Sequence, residues 1–154
     1  MISHMEIKNK NNEVIYVTES DDLTGHCFDE AKLSGAVIDG LIMEGCDFDD
    51  CDLSNASFKG CDLYWARFFR ANLAGTDLEG AALNGCDFTQ ANLRKVNLKG
   101  ADLSKDNLGG ATVLHGADLT GALTDGANFT GAEYDDKTIF PESFNPEKHG
   151  MVKV

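Results

Sequence analysis

Ala71-Asn72-Leu73-Ala74-Gly75 is the stretch from which the fold is read: a small residue, a short polar one, a large apolar one, then two small or polar positions. The same order returns every five residues in both directions. Large apolar residues stand at Leu23, Phe28, Leu33, Ile38, Met43, Phe48, Leu53, Phe58, Leu63 and Phe68 before it. Leu78, Leu83, Phe88, Leu93, Leu98, Leu103, Leu108 and Val113 follow. Neither the 3.6-residue period of an α-helix nor the two-residue period of a strand puts a five-residue spacing on one face. A short period held this long implies a repeat architecture, in which each unit buries its apolar residue against its neighbours.

The other positions are constrained as well. Two residues before the centre stands a small residue in most units, as at Ala36, Cys46, Cys51, Ala56, Cys61, Ala66, Cys86 and Ala91. Directly before it comes Asp or Asn in most units, including Asp47, Asp52, Asp62, Asn72, Asp87, Asn92 and Asn97. Small residues allow close backbone approach, and Gly after the centre permits a positive φ at a turn. Over residues 21–136 the pattern resembles the tandem A-(D/N)-L-x-x of the pentapeptide repeat family. The resemblance implies an all-β fold, a right-handed quadrilateral parallel β-helix of about six coils with four pentapeptides to a coil.

Columns of equivalent residues support the number four independently. Phe28, Phe48, Phe68 and Phe88 recur at intervals of 20, as do Gly40, Gly60, Gly80 and Gly100. Between Val113 and Leu119 the spacing is six, which reads as a one-residue bulge. Past it the columns are expected to resume at Phe129 and Gly121, and deletion of His115 would restore the count. Either Leu123 or Thr124 can serve as the centre there. No insertion long enough to project a loop is evident.

A coil stack exposes unpaired backbone at both ends and needs caps. Residues 1–20 form the N-terminal segment, in which Met5–Lys8 and Val14–Val17 flank the polar turn 9–12 as a hairpin. Met1–His4 reads as a remnant ahead of a native start at Met5. Residues 137–154 form a C-terminal cap, with Phe140 just before Pro141 and Phe144 between Pro141 and Pro146. Such a tail resembles those that follow the repeats in bacterial, especially cyanobacterial, members of the family.

With 154 residues the chain is expected to be one domain. It shows no signal peptide and no apolar run of membrane-spanning length, so a cytoplasmic protein without membrane attachment is expected. Cys46, Cys51, Cys61 and Cys86 occupy the small inward position and read as free, buried thiols. There is no CxxC and the histidines are scattered, so neither metal nor other cofactor is implied.

Charge carries the first functional hint. The total is −13, but residues 19–52 hold eleven acids against Lys32 alone, whereas residues 53–105 hold seven bases and five acids. Asp29, Glu30, Glu44, Asp47, Asp49 and Asp50 make an acidic surface. The resemblance suggests mimicry of DNA, because quinolone-resistance members of the family are understood to protect DNA gyrase by occupying its cationic DNA site. The slightly basic middle of the rod counts against this. Acidic residues also serve simply to keep a repetitive surface soluble.

A second hint is the group Tyr64, Trp65, Arg67, Phe69 and Arg70, all at outward positions of one coil. Exposed aromatics beside Arg suit a protein-binding hot spot or self-association. Against it, Arg67 lies between Asp47 and Asp87 in its column and Arg70 lies above Asp50, as in ordinary surface ion pairs. The surrounding carboxylates oppose direct nucleic-acid binding. A filled rod offers no catalytic cleft, and no nucleophile–base grouping or phosphate loop is present. The sequence therefore reads as a non-enzymatic interaction module, with inhibition or protection of a DNA-handling enzyme such as gyrase as the alternative. A protein partner or self-association is expected, and monomer and dimer stay open.

Overall fold

A computed structural model describes residues 3–154, so Met1 and Ile2 of the proposed remnant lie outside the described residues. The repeat builds a stack of coils. The amide of Phe28 donates to the carbonyl of Asp47 (2.7 Å), and the amide of Asp47 donates back to the carbonyl of His26 (2.9 Å). One coil higher, Phe48 donates to Arg67 and Arg67 to Cys46 in the same way. Each coil thus pairs only with its neighbours, through four columns of parallel bridges. They begin at Ile42–Asp62, Cys27–Asp47, Lys32–Asp52 and Val37–Ser57. We number the sides of the coil in that order, so that Leu23, Phe28, Leu33 and Ile38 are the first centres of sides one to four.

The corners explain the rest of the pattern. At most corners the carbonyl of the centre accepts the amide three residues on, as from Ala31 to Phe28 (2.8 Å), and the residue at the third turn position has positive φ. The Asp or Asn before the centre accepts the corner amide two residues on: Asp47 from Asp49 (2.9 Å), Asn72 from Ala74 (3.1 Å), Asn92 from Arg94 (3.1 Å). These side chains are chosen because a short side-chain oxygen closes its own turn. The small position also takes a donor. Cys46, Cys51, Cys61 and Cys86 donate their thiols to the carbonyls of Leu23, Phe28, Ile38 and Leu63 at 2.8–2.9 Å. Thr76 and Thr112 do the same to Leu53 and Leu83.

Side two carries the aromatic stack. Phe28, Phe48, Phe68 and Phe88 lie nearly parallel, with centroids 4.9, 5.1 and 4.9 Å apart. Phe129 does not continue it. Leu114 and Tyr134 occupy the next two levels of that side, whereas Phe129 sits above Leu103 on side one.

The cause is an insertion of six residues, not one. Asp102 pairs with Asn128 and Asp87 with Val113, so the fifth coil is longer by one pentapeptide plus one residue. After Leu103 the next buried centre is Leu114. Val113 takes the polar position before it, and Leu108 is 87% exposed on a projecting loop. Consequently Gly126, not Gly121, continues the column of Gly40 to Gly100. Thr124 is the centre and Leu123 points outward. A further single-residue insertion falls between Tyr134 and Phe140, where Asp118 pairs with Ile139. Removing His115 cannot restore the count, because the extra residues lie before it.

At the N-terminal end, β1 (Met5–Asn9) and β2 (Val14–Thr18) form an antiparallel hairpin. β1 also pairs with β3 (Ala36–Val37), extending side four by one level. Ile7 is buried against the core, and Tyr16 and His26 pack on Phe28. At the other end β4 (Glu133–Tyr134) pairs in parallel with β5 (Val152–Lys153). Phe144 stacks between Phe140 and His149 and meets Phe129 edge-on, closing the core there. Among the described residues no helix is long and apolar enough to cross a membrane.

Two outcomes follow from this packing. Phe68→Ala removes the middle of a four-ring stack and should cost about 3–5 kcal/mol in denaturant unfolding, whereas Leu108→Ser should change stability by less than about 0.5 kcal/mol. Burial pushes the thiols of Cys46 and Cys61 up to about 11 and that of Cys51 to about 12, and raises Cys86 as well. A thiol reagent at neutral pH should therefore modify exposed Cys27 quickly and the other four only on unfolding.

Candidate protein-interaction surface

The expected patch spreads over side two and both of its corners. Tyr64 and Trp65 occupy the corner between sides one and two, with rings 5.6 Å apart and nearly perpendicular. Arg67 lies on the outer face of side two, bridged in the column to Asp47 and Asp87. Phe69 and Arg70 form the corner between sides two and three. The coil therefore brings Phe69 and Arg70 together, but separates them from Tyr64 and Trp65 by the width of a side.

The ionic partners differ in part from expectation. Arg70 grips Asp50 through two bonds, Nε to Oδ1 at 2.9 Å and Nη2 to Oδ2 at 3.0 Å, and its guanidinium lies 4.9 Å from the Phe69 ring centroid. Arg67 pairs instead with Asp49, Nη2 to Oδ2 at 2.8 Å, while Asp47 closes its own corner by accepting the Asp49 amide. Asp49 also accepts the amide of Phe69 (2.9 Å), and its partial burial is the main cause holding its carboxyl above the usual aspartate range. Both arginines are more than half exposed, so each pair is worth under about 1 kcal/mol.

Trp65 has a role that the five-residue pattern does not reveal. Its indole Nε1 donates to Asp106 Oδ2 at 2.7 Å, across to the inserted loop. Asp106 Oδ1 in turn accepts the amides of Leu108 (2.8 Å) and Gly110 (2.6 Å), so one carboxylate both folds the loop and ties it to the rod. Gly85 above Trp65 makes room for this: a Cβ there would lie 2.7 Å from the indole Cδ1 and 3.0 Å from Asp106. Trp65 is nevertheless 44% exposed.

The corner between sides two and three is distinguished by its backbone. At the third turn position it carries Glu30, Asp50, Arg70 and Gln90 in four successive coils, all with φ between 55° and 61°. The corner between sides four and one carries Gly40, Gly60, Gly80, Gly100 and Gly126 at the same position. A side chain in this left-handed region costs roughly 1 kcal/mol, and such costs concentrate at functional sites. Space is not the reason for the glycines, since nothing lies within 4 Å of a Cβ at Gly40, Gly60, Gly80 or Gly100. The preceding residues of that glycine corner, Asp39, Lys59, Glu79, Lys99 and Asp125, alternate in sign. The corner between sides two and three instead gathers Asp29, Glu30, Asp49 and Asp50. Glu44 lies at the Tyr64 corner, held above the usual range chiefly by the carboxylate of Asp62. Among the described residues no cluster of His, Cys, Asp and Glu could hold a metal ion.

The profile of pentapeptide repeats matches residues 31–68, 71–110 and 112–133, in eight copies. A solved pentapeptide repeat protein from the cyanobacterium Cyanothece 51142 is 25% identical, covering 76% of this chain and 89% of that one, with a TM-score of 0.51. Another, from Nostoc PCC 7120, is 31% identical over 84% of this chain and 85% of that one, with a TM-score of 0.37. A third, from the thylakoid lumen of Arabidopsis thaliana, is 37% identical over 75% of this chain and 66% of that one, with a TM-score of 0.37. Comparison with curated protein sequences finds no match.

The Trp65–Asp106 bond has a signed pH dependence. The indole first, then the loop amides, hold the Asp106 carboxyl below the ordinary aspartate value of 3.8. A depressed carboxylate contributes stability above its unfolded value and loses it as pH falls through the lowered folded value. Trp65 is the sole tryptophan. Its emission should therefore stay constant down to about pH 4, change only below 3.8, and lose that transition in Asp106→Ala.

Proposed function

Because the chain belongs to the pentapeptide repeat family, we propose that it is a non-enzymatic protein-interaction scaffold whose working edge is the corner between sides two and three. Its shape in this reading is a right-handed quadrilateral β-helix, supported by the four columns of parallel bridges. The observation that carries the assignment is the row Glu30, Asp50, Arg70 and Gln90. Four coils accept a strained backbone to present large polar side chains in line, where glycine would serve the fold better. Arg67, Phe69 and Arg70 give this edge an aromatic and two cations amid the carboxylates of Asp29, Asp47 and Asp49, the composition of a hot spot with a polar rim. Tyr64 and Trp65 extend it across side two, with Trp65 committed to the loop. The partner is a protein or a second copy of the chain, and the setting is cytoplasmic.

The carboxylates stacked along the same edge in the first two coils favour a second reading, mimicry of the DNA backbone before an enzyme such as gyrase. Arg67 and Arg70 neutralise two of those carboxylates, which makes it the lesser reading.

Substituting all four left-handed residues by glycine separates structure from function. Glu30→Gly and Gln90→Gly should each leave stability unchanged or raise it by up to about 1 kcal/mol. The quadruple variant should lose association in sedimentation velocity and in quantitative capture against the wild-type chain. Unaltered association would remove this edge as the working surface. Inhibition of gyrase supercoiling by the wild-type chain, abolished in the quadruple variant, would establish the second reading instead.

A further inference from the structure

Side one begins with residues 21–25, one level below Ile42. Leu23 there is buried in the core, and the amide of Gly25 donates to the carbonyl of Glu44 (2.8 Å). The chain itself thus occupies this level, and what stays open beside it is a space between side chains. It is a cavity of about 420 Å³ whose walls include Met5 of β1, Leu23, Leu41 and Ile42, together with Asp21 and Asp22. Sites for small molecules span roughly 300–1,000 Å³.

Two neighbours in the wall break the rule of the repeat. At the small position of side one, later coils carry Cys61, Ala81, Ala101 and Ala127, but the second coil carries Leu41. At the polar position they carry Asp62, Ala82, Asp102 and Asn128, where Ile42 stands 64% exposed. Asp62 accepts the corner amide of Tyr64 at 3.2 Å, a bond that Ile42 cannot make. Leu41 and Ile42 are therefore larger and more apolar than the stack requires, and both line the cavity. The charge around it is uncompensated. Among the described residues Asp21, Asp22, Glu44 and Asp62 are in no ion pair. The carboxylate of Asp62 is the main cause holding Glu44 above the ordinary glutamate range, so negative potential is concentrated beside Ile42.

We propose that this recess binds a small organic ammonium ion, an amine with an apolar aliphatic or aromatic skeleton. The skeleton displaces water from Met5, Leu23, Leu41 and Ile42, and the ammonium lies against Asp21 and Asp22. The recess is diagonally across the coil from the corner between sides two and three, and the two assignments stand or fall separately.

The test titrates the full chain with 2-phenylethylammonium at neutral pH, followed by calorimetry and by amide chemical shifts. Saturable binding is expected, with the largest shifts at Met5 and in residues 21–24 and 40–42, weakening with added salt. Three analogues separate the two attractions. 2-Phenylethanol keeps the skeleton without the charge, 3-phenylpropionate reverses the charge, and ethylammonium keeps the charge with little skeleton. Each should bind severalfold more weakly. Leu41→Ala and Ile42→Asn install residues that the repeat itself uses at these positions, as at Ala81 and Asn128, and neither changes the charge. Both should stay folded and bind the amine severalfold more weakly. Asp22→Asn, which keeps the acceptor for the Thr24 amide, should bring the affinity for the amine toward that for the alcohol. Equal binding of any analogue, shifts centred elsewhere, or undiminished affinity in Leu41→Ala and Ile42→Asn would overturn the proposal. So would the absence of saturable binding. The analogue series uses the unaltered chain and decides the matter even where a variant fails to fold.

Discussion

Everything in this molecule depends on amides that find no partner within their own coil. The amide of each centre reaches the next coil, and that of the residue before it reaches the previous one. Neither bond exists in an isolated turn of chain, so a coil gains its hydrogen bonds and its dry core only by being stacked. The twenty-residue length of the coil is what brings donor opposite acceptor. Centres, small positions and capping Asp or Asn residues all serve that register. The same constraint explains why the ends need hairpin and aromatic closures.

Much of this was legible in the sequence. The centres from Leu23 to Leu103, the inward thiols and the phenylalanine stack through Phe88 follow from spacing alone, because identical units in identical surroundings repeat their burial. The insertion escaped because its length is one pentapeptide plus one residue. Asn107, Leu108 and Gly109 imitate a unit, and Val113 falls on the old period, so the pattern of letters runs on while the chain leaves the rod. One sign was available: Asp106 stands two residues before Leu108, where a buried unit needs a small side chain. The link from Trp65 to Asp106 could not be read, since it spans 41 residues and depends on how the loop folds back.

The candidate edge was half visible. The aromatics and arginines of the third coil stood out by composition, and the pairing of Arg70 with Asp50 followed from the twenty-residue rule. The pairing of Arg67 with Asp49 did not, because Asp49 lies at the corner, outside the column that the twenty-residue rule assigns to Arg67. The row from Glu30 to Gln90 was present in the letters as an absence of glycine. It gains meaning only when those positions are seen to share one left-handed corner. Four coils in a row forgo glycine along that edge, whereas the neighbouring corners forgo it only singly, at Asn55, Trp65 and Lys95.

The direction of the interlocking bonds also governs how the molecule bears force. Strands in an ordinary sheet pulled end to end share a load across many hydrogen bonds in shear. Here the bonds run along the rod, from one coil to the next, while the chain winds around it. Tension between hairpin and tail therefore stretches each bond along its own length and concentrates on one coil interface at a time. Such a rod peels coil by coil under a pull. Compression drives the same interfaces together, so it bears a push far better.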